Sequence, residues 1–199
     1  MKRAVDVSVS AAVLALASPL LAMAALAIRL SMGSPVLFRQ TRPGQHGTLF
    51  TMVKFRTMEN VTDASGHLLP DSDRITGLGR MMRSLAIDEL PQFWNVLCGE
   101  MSLVGPRPLR REYLERYSPE QARRHDVLPG ITGWAQINGR NAVSWDEKFS
   151  LDVWYVDNWS LWLDLRILCR TPQCVLQRVG VTAPGHATMP DFQGNEVSQ

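Results

Sequence analysis

The segment Arg83–Pro108 reads RSLAIDELPQFWNVLCGEMSLVGPRP, and the rest of the chain is organised around it. Two adjacent carboxylates, Asp88 and Glu89, stand just before Pro91. Proline is favoured at the first position of a helix, because its missing N–H is not needed there. The apolar run that follows therefore predicts a short helix, closed by Gly99 in the turn past its end. This places the carboxylates at a helix N-terminus, where the backbone dipole favours negative charge and where phosphate and metal ions bind.

Arginines bracket this carboxylate pair on both sides. They are Arg80 and Arg83 before it, and Arg107, Arg110 and Arg111 after it. A carboxylate pair among guanidinium groups suits phosphoryl transfer, in which the protein mainly positions its substrates and neutralises their charge. The spacing is equally typical of two acidic residues at a helix start that take no part in chemistry. The segment alone does not decide between these interpretations.

Four motifs along the chain occur in the order found in one known family. They are KFRTM at 54–58, SLAIDELPQFWNVLCGEMSLVGPRP at 84–108, RHDVLPGITG at 124–133 and QINGR at 136–140. Together they resemble the bacterial sugar transferases, the monotopic polyprenyl-phosphate phosphoglycosyl transferases, over nearly the whole chain. Some members of that family carry an additional N-terminal membrane bundle, and this chain looks like the minimal catalytic form.

The resemblance implies an enzyme that moves a sugar 1-phosphate from a UDP-sugar to a polyprenyl phosphate, such as undecaprenyl phosphate, and releases UMP. It implies Asp88 as the nucleophile of a covalent aspartyl intermediate, and Glu89, together with Asp88, as ligands of a Mg²⁺ cofactor. It also implies a set of substrate-binding residues: Lys54, Arg56, Arg83, Pro106, Arg107, Gln136 and Arg140. The reaction would be the first membrane step of glycoconjugate assembly, with downstream glycosyltransferases as further partners.

Composition restricts the remaining classes. The formal charge of +2 is too small to indicate a nucleic-acid partner, and none is expected. The three cysteines, Cys98, Cys169 and Cys174, are odd in number and show no framework spacing. They favour a reducing compartment over a disulfide scaffold and do not indicate a metal site with histidine.

Residues 7–28 carry no charge and would form a straight helix roughly 33 Å long, close to the thickness of the hydrocarbon core of a bilayer. Both flanks are basic, with Lys2 before the segment and Arg29 after it, so both favour the cytoplasmic side. Ser18–Pro19 lies near the middle and would break the helix. These features, and the re-entrant helix described for the family, predict a segment that enters the bilayer and returns. The catalytic domain is then expected on the cytoplasmic face of the bacterial inner membrane.

A cleaved signal peptide is the alternative for the same segment. Lys2 and Arg3 would be its basic start, and Ala22-Met-Ala24 is similar to a cleavage site. The mature protein would then begin at Ala25 and would be a secreted, arginine-rich module that binds anions without catalysis.

The expected fold class is α+β and helix-rich, with a re-entrant membrane helix (1–30), a catalytic domain (31–182) and a polar, poorly ordered tail (183–199). A small β-hairpin is predicted from strand-like segments at 35–40 and 49–55. Helices that begin near 145 and 162 carry tryptophans that fit a membrane interface and an aromatic core equally well. The segment 180–194 is similar to the tail of the diacetylbacillosamine phosphate transferases, which suggests one candidate sugar.

Overall fold

The computed structural model describes residues 1–139, 143–177 and 191–194. Helices predominate over strands in this part of the chain, as predicted. The helices are α1 (Lys2–Met32), α2 (Asp71–Arg74), α3 (Gly77–Ser84), α4 (Gln92–Cys98), α5 (Pro119–Ala122), α6 (Trp134–Ile137), α7 (Trp145–Asp157) and α8 (Leu161–Leu176). The strands are β1 (Leu37–Pro43), β2 (Leu49–Phe55), β3 (Ser102–Val104) and β4 (Gly130–Thr132). Short 3-10 turns cover Gln45–Gly47, Ile87–Glu89, Arg111–Arg116 and Arg123–His125.

The predicted hairpin is confirmed. β1 and β2 pair antiparallel, from Leu37 opposite Phe55 to Pro43 opposite Leu49. Alternate residues of a strand share a face, so Arg42 and Lys54 lie on the same side of the hairpin as Phe50. On that side Phe50 and Met52 pack with Val96 and Met101 in a buried cluster.

The predicted short helix is also confirmed, as α4, and Gly99 ends it in the left-handed conformation with φ 88°. The carboxylates, however, precede it in the separate 3-10 turn Ile87–Glu89 and not in its first turn. The amide of Glu89 donates to the carbonyl of Ala86 at 3.2 Å, an i→i+3 bond. Pro91 has no N–H with which to continue the ladder, and α4 therefore begins only after it.

A parallel strand pair joins two of the sequence motifs. Ser102 of β3 lies opposite Gly130 of β4, and Val104 lies opposite Thr132. A Cβ on Gly130 would stand 2.1 Å from the amide nitrogen of Gly105, so only glycine allows this approach. The pairing therefore holds the turn that carries Arg107 beside the start of α6.

α7 begins as the sequence predicts, because the Ser144 hydroxyl accepts the amide hydrogen of Glu147 at 3.2 Å. The aromatic residues of α7 and α8 divide between the two expected environments. Tyr155 is buried in the main core with Leu163 and Ile167, whereas the Trp162 side chain is 71% exposed.

The described part of the tail is more ordered than predicted. Phe192 is only 3% exposed and packs against Tyr113, Tyr117, Trp145 and Phe149. A single hydrophobic residue inside a polar segment is a weak signal of burial, and the packing of Phe192 was not predicted.

α1 runs without interruption from Lys2 to Met32, with Pro19 inside it. It is long and apolar enough to cross a membrane. Pro19 has no N–H to donate to the carbonyl of Ala15, and the Ser18 hydroxyl donates to that carbonyl at 2.8 Å instead. The predicted break at Ser18–Pro19 is not seen, because the helix continues through Pro19 and the Ser18 hydroxyl satisfies the freed carbonyl.

Both ends of α1 contact the globular part of the molecule. Lys2 forms an ion pair with Asp164 of α8. The Asp6 carboxylate accepts hydrogen bonds from the Ser102 hydroxyl at 2.9 Å and from a β3 amide at 3.1 Å. Near the other end, Ile28 is fully buried with residues of β2 and α3. A straight helix of these 31 residues would be roughly 46 Å long, and of its residues only Asp6, Ser10 and Ile28 are buried.

Candidate active site

One open cavity of about 1890 Å³ collects most of the predicted site residues. Its walls come from the hairpin, α3, the 3-10 turn at 87–89, the turn after β3, α6, α7 and the end of α8. Its basic lining residues are Arg39, Arg42, Lys54, Arg56, Arg74, Arg80, Arg83, Arg107, Arg110 and Lys148, and its acidic ones are Asp71, Asp88 and Glu89. Ligand pockets usually measure about 300–1,000 Å³, so this cavity has room for more than one substrate. Its charge suits polyanions.

Glu89 is the anchored member of the carboxylate pair. Its Oε1 accepts a hydrogen bond from the Lys54 ammonium at 3.1 Å and another from the Arg107 guanidinium. Burial alone would raise the pKa of Glu89, but Arg107 and Lys54 outweigh it and hold the pKa well below its usual range. Glu89 is therefore a fixed anion that orients two cations.

Asp88 is the free member. Its side chain is buried, the residue being 6% exposed, and no described residue forms a hydrogen bond or ion pair with its carboxylate. Burial raises the pKa of Asp88, and the neighbouring charge of Glu89 raises it further. Lys54, Arg83 and Arg107 act in the opposite direction. Two adjacent carboxylates whose environments move their pKa values apart are typical of groups with different chemical roles.

Arg83 and Arg56 line the same cavity with different contacts. The Arg83 Nε donates to the Thr57 hydroxyl at 3.2 Å, which leaves its charge facing Asp88. Arg56 donates to three backbone carbonyls, those of Met58 at 2.9 Å, Met32 at 3.2 Å and Ser34 at 3.3 Å. In this arrangement Arg56 joins the hairpin to the end of α1.

The other predicted substrate-binding residues are placed unequally. Gln136 lines the cavity, and both polar atoms of its amide are buried without a partner in the described structure. Pro106 contributes its backbone, since its carbonyl accepts the Gly130 amide at 3.0 Å, and it does not line the cavity. Arg140 lies outside the described residues.

Arg42 and Lys148 line the cavity but were not predicted as site residues. Arg42 was detectable in principle, because the hairpin register places it on the same face as Lys54. Lys148 reaches the cavity from α7 through tertiary packing, for which the sequence carries no local signal.

The carboxylate pair fits a magnesium ion. Mg²⁺ at phosphoryl-transfer sites uses one or two carboxylates together with substrate phosphates, and does not need an all-protein cage. No group of three or more acidic, histidine or cysteine side chains comes together in the described residues. Glu89 Oε2 has only a long contact with Arg107, at 3.4 Å, so that oxygen can still coordinate a metal. Asp88 adds a second carboxylate, to which no described residue forms a hydrogen bond or ion pair.

Comparison with known proteins assigns the family. A model described as bacterial sugar transferase matches residues 1–178. The uncharacterized sugar transferase EpsL of Bacillus subtilis is 54% identical over 195 residues, which are 98% of this chain and 96% of that protein. A UDP-glucose:undecaprenyl-phosphate glucose-1-phosphate transferase of Caulobacter vibrioides is 44% identical over 88% of this chain and 69% of its own. An undecaprenyl-phosphate galactose phosphotransferase of Salmonella typhimurium is 39% identical over 90% of this chain but only 41% of its own length. The chain therefore belongs to the bacterial sugar transferase family and is an enzyme of the phosphoglycosyl transferase kind.

Proposed function

We propose that this enzyme transfers a sugar 1-phosphate from a UDP-sugar to a polyprenyl phosphate, undecaprenyl phosphate in the first instance, and releases UMP. The names of the relatives in Caulobacter vibrioides and Salmonella typhimurium specify undecaprenyl phosphate with glucose or galactose. The observation in this chain that carries the proposal is the unequal carboxylate pair. A free, buried Asp88 stands beside an anchored Glu89 in a strongly cationic cavity.

The transfer proceeds in two displacements at the sugar-bearing phosphorus. A carboxylate oxygen of Asp88 attacks that phosphorus and forms an acyl phosphate, while the bond to the bridging oxygen breaks and UMP leaves with that oxygen. An oxygen of the polyprenyl phosphate then attacks the same phosphorus, and the Asp88 carboxylate is released. Neither displacement requires a proton. Together they divide one difficult transfer into two easier steps. The absence of hydrogen bonds to Asp88 supports its role as nucleophile.

The cations around the pair provide the electrostatic part of catalysis. Lys54 and Arg107 are held by Glu89, so they are in place before the substrate arrives. Together with Arg83 they oppose the rise in the pKa of Asp88 that burial and Glu89 cause, which favours its ionised form. Asp88 and Glu89 would hold Mg²⁺, which when bound adds positive charge against the donor diphosphate.

The bilayer is the place where the lipid acceptor and the soluble donor meet, and α1 supports a re-entrant arrangement in it. Lys2 and Asp6 bond to the same domain against which Ile28 packs, and these contacts support the proposal that both arms of α1 lie on one side of the membrane. A spanning helix would place its first residues across the membrane from those partners. The alternative of a cleaved signal peptide and a secreted anion-binding module is not supported, because cleavage would remove these contacts and the family match begins at residue 1.

α8 supports contact with the membrane surface. Four residues at helical spacing form an exposed, largely apolar stripe along it: Trp162, Leu165, Cys169 and Leu176. The opposite side of the helix packs into the core through Leu163 and Ile167. A helix that is apolar on two sides fits an interface between protein and lipid.

The covalent step is tested by omitting the acceptor. Full-length protein in detergent is mixed with Mg²⁺ and single UDP-sugars, including UDP-glucose, UDP-galactose and the diacetylbacillosamine derivative. With the correct donor we expect UMP release of up to one equivalent and a protein mass increased by one sugar phosphate. Asp88→Asn should show neither effect. Asp71→Asn, which changes another carboxylate of the same cavity, should show both.

Two results would contradict the two-step mechanism. One is trapping of a sugar phosphate on Asp88→Asn, after mass spectrometry has excluded deamidation to aspartate. The other is turnover with acceptor present but no UMP release without it, which would indicate direct transfer between the substrates.

A further inference from the structure

Arg42 is a partly buried cation of the cavity that forms no ion pair with a described acidic residue. It lies near the end of β1, and its guanidinium donates to the Gln40 amide oxygen at 2.7 Å. Its Nε is buried and has no acceptor, and no carboxylate of the described chain forms an ion pair with it. Arg39 and Arg80 also lack acidic partners, but both are exposed and can be solvated by water.

The electrostatic surroundings of Arg42 confirm this deficit. Burial lowers its pKa to about 10, and the charges of Arg107 and Arg110 contribute further, while Glu112 offsets only part of the effect. In contrast to Arg42, four other cations of the cavity form ion pairs with acidic residues of the protein. These pairs are Lys54 and Arg107 with Glu89, Arg74 with Asp71, and Arg110 with Asp191. A partly buried guanidinium without an anion is costly to maintain, and a bound anion would offset that cost.

The position of Arg107 shows where such an anion would lie. Its guanidinium bonds Glu89, and its carbonyl accepts a hydrogen bond at 2.7 Å from Arg124, which also bonds Asp152 of α7. Lys148 stands one helical turn before Asp152 on α7, is 7% exposed and lines the same cavity. The charge of Arg107 lowers the pKa of both Lys148 and Arg42. Arg42, Arg107 and Lys148 are therefore a second group of cations in the cavity that holds the carboxylate pair.

We propose that Arg42, Arg107 and Lys148 form a phosphate-monoester subsite, distinct from the position of the attacked phosphorus. This inference rests on the proposed two-step transfer. In the first displacement, the phosphate of UMP leaves from the side of the phosphorus opposite Asp88. In the second, the phosphate of the acceptor must arrive from that same side. One subsite can therefore receive both phosphates in turn, and a cluster of three cations is suited to a doubly charged monoester.

Equilibrium binding to the full-length protein tests the subsite without any transfer reaction. The probes are UMP, farnesyl phosphate as a short acceptor analogue, and uridine, which has the same nucleoside but no phosphate. We expect Arg42→Gln to weaken UMP and farnesyl phosphate binding at least ~10-fold, the scale of one charge-assisted hydrogen bond, and to leave uridine binding unchanged. Arg166→Gln is the control, since it removes the same charge from an exposed position of α8 that does not line the cavity, and its affinities should equal those of the parent.

The outcomes separate the possible sources of the phosphate. Weakening of UMP alone or of farnesyl phosphate alone would retain a phosphate subsite but overturn its shared use. Unchanged binding of both would overturn the subsite. If Arg42→Gln does not fold, Arg42→Lys and Lys148→Met carry the same test, with losses expected for the two phosphates and not for uridine. Because no transfer is measured, failure of the covalent trapping experiment would leave these results interpretable.

Discussion

Asp88 and Glu89 are adjacent carboxylates, yet their environments predict opposite effects of their charges on the stability of the fold. The raised pKa of Asp88 means that its charge is unfavourable in the folded state. Its contribution is favourable only at low pH and is lost as the pH rises through the folded-state pKa. We therefore expect Asp88→Asn to raise the melting temperature at pH 7 in the absence of metal. Function would explain why a destabilising charge is kept at this position.

Glu89→Gln should have the opposite effect. The pKa of Glu89 is lowered, so its stabilisation is present above its unfolded-state pKa and is lost as the pH falls through the folded one. Neutralising it leaves Lys54 and Arg107 without their partner, and we expect a loss of roughly 2–3 kcal/mol, somewhat less than for fully buried pairs. Thermal and urea unfolding of the two variants beside the parent measures both effects. Equal changes of stability in the same direction for both variants would contradict the different roles assigned to Asp88 and Glu89.

His125 is a second residue whose buried state predicts a pH dependence. Its Nδ1 lies 3.0 Å from the Gly44 carbonyl, which can only accept, so Nδ1 carries the proton. Burial, with the nearby charge of Arg124, lowers its pKa to about 4. The neutral ring therefore adds stability above pH 6.5, which is lost as the pH falls from 6.5 towards 4, up to roughly 3 kcal/mol.

The measurement is the free energy of unfolding between pH 4 and 7 for the parent and for His125→Asn. Asparagine can still donate from a position near Nδ1 but does not titrate. We expect its profile to be flatter than that of the parent over this range. Parallel profiles would show that another group causes the acid loss.

At the scale of single elements, the features that follow from neighbouring residues were the predictable ones. The hairpin follows from its turn glycines, α4 from Pro91 and Gly99, and the start of α7 from the Ser144 cap. The β3–β4 pair was not predictable. Each strand has three residues, and the two are separated by a long stretch of chain. No local pattern indicates which partner such a short strand selects.

In the candidate site, too, local sequence motifs predicted some features, and tertiary packing decided the others. Motifs placed the carboxylates, Lys54, Arg83 and Arg107 in one cavity, although the 3-10 turn before Pro91 was not foreseen. The unequal state of the two carboxylates depends on which one receives the Lys54 and Arg107 side chains, and that depends on tertiary geometry. The burial of Arg42 also depends on packing, because on the hairpin alone it would be a solvated arginine.

The packing of Phe192 in the tail segment 191–194 predicts a measurable contribution to stability. Phe192 packs with its ring centroid 5.0 Å from that of Phe149 and 5.7 Å from that of Tyr113. Its neighbour Asp191 bonds Arg110 and the Tyr113 hydroxyl. We expect Phe192→Ala to lower the unfolding free energy by about 2–3 kcal/mol, less than in a closed core because a peripheral segment can detach. Gln193→Ala, at an exposed site of the same segment, should be neutral in the same denaturation experiment. Equal stability of both variants would show that the packing of Phe192 is not significant in solution.

At the scale of the whole molecule, the proposed transfer requires a cavity that a soluble donor and an insoluble acceptor can both reach. The apolar middle of α1 and the exposed stripe of α8 are the surfaces suited to lipid, and the cavity is suited to polyanions. This division requires both arms of α1 to lie on the side of the catalytic domain. A spanning α1 would break the Lys2–Asp164 and Asp6–Ser102 contacts and leave these groups unpaired.

Cysteine labelling in intact bacteria tests this topology. Cys98, Cys169 and Cys174 are replaced by alanine, and single cysteines are introduced by Ala4→Cys and Ala64→Cys, both at exposed positions. Position 4 avoids the bonded side chains of Lys2 and Asp6. With a membrane-impermeant maleimide, both cysteines should be protected until the inner membrane is breached. A cysteine in a co-expressed periplasmic protein serves as the control for access of the reagent.

Restoring the helix at its weak point should reverse the result for position 4. Replacing Ser18 with alanine and Pro19 with leucine returns the missing N–H to the Ala15 carbonyl, and the apolar segment can then form a straight helix longer than the hydrocarbon core of about 30 Å. In this background we expect position 4 to be labelled from outside while position 64 stays protected. Labelling of position 4 in the unaltered sequence would contradict the re-entrant arrangement, because Lys2 and Asp6 on either side of it bond the catalytic domain, which stays on the inner side of the membrane.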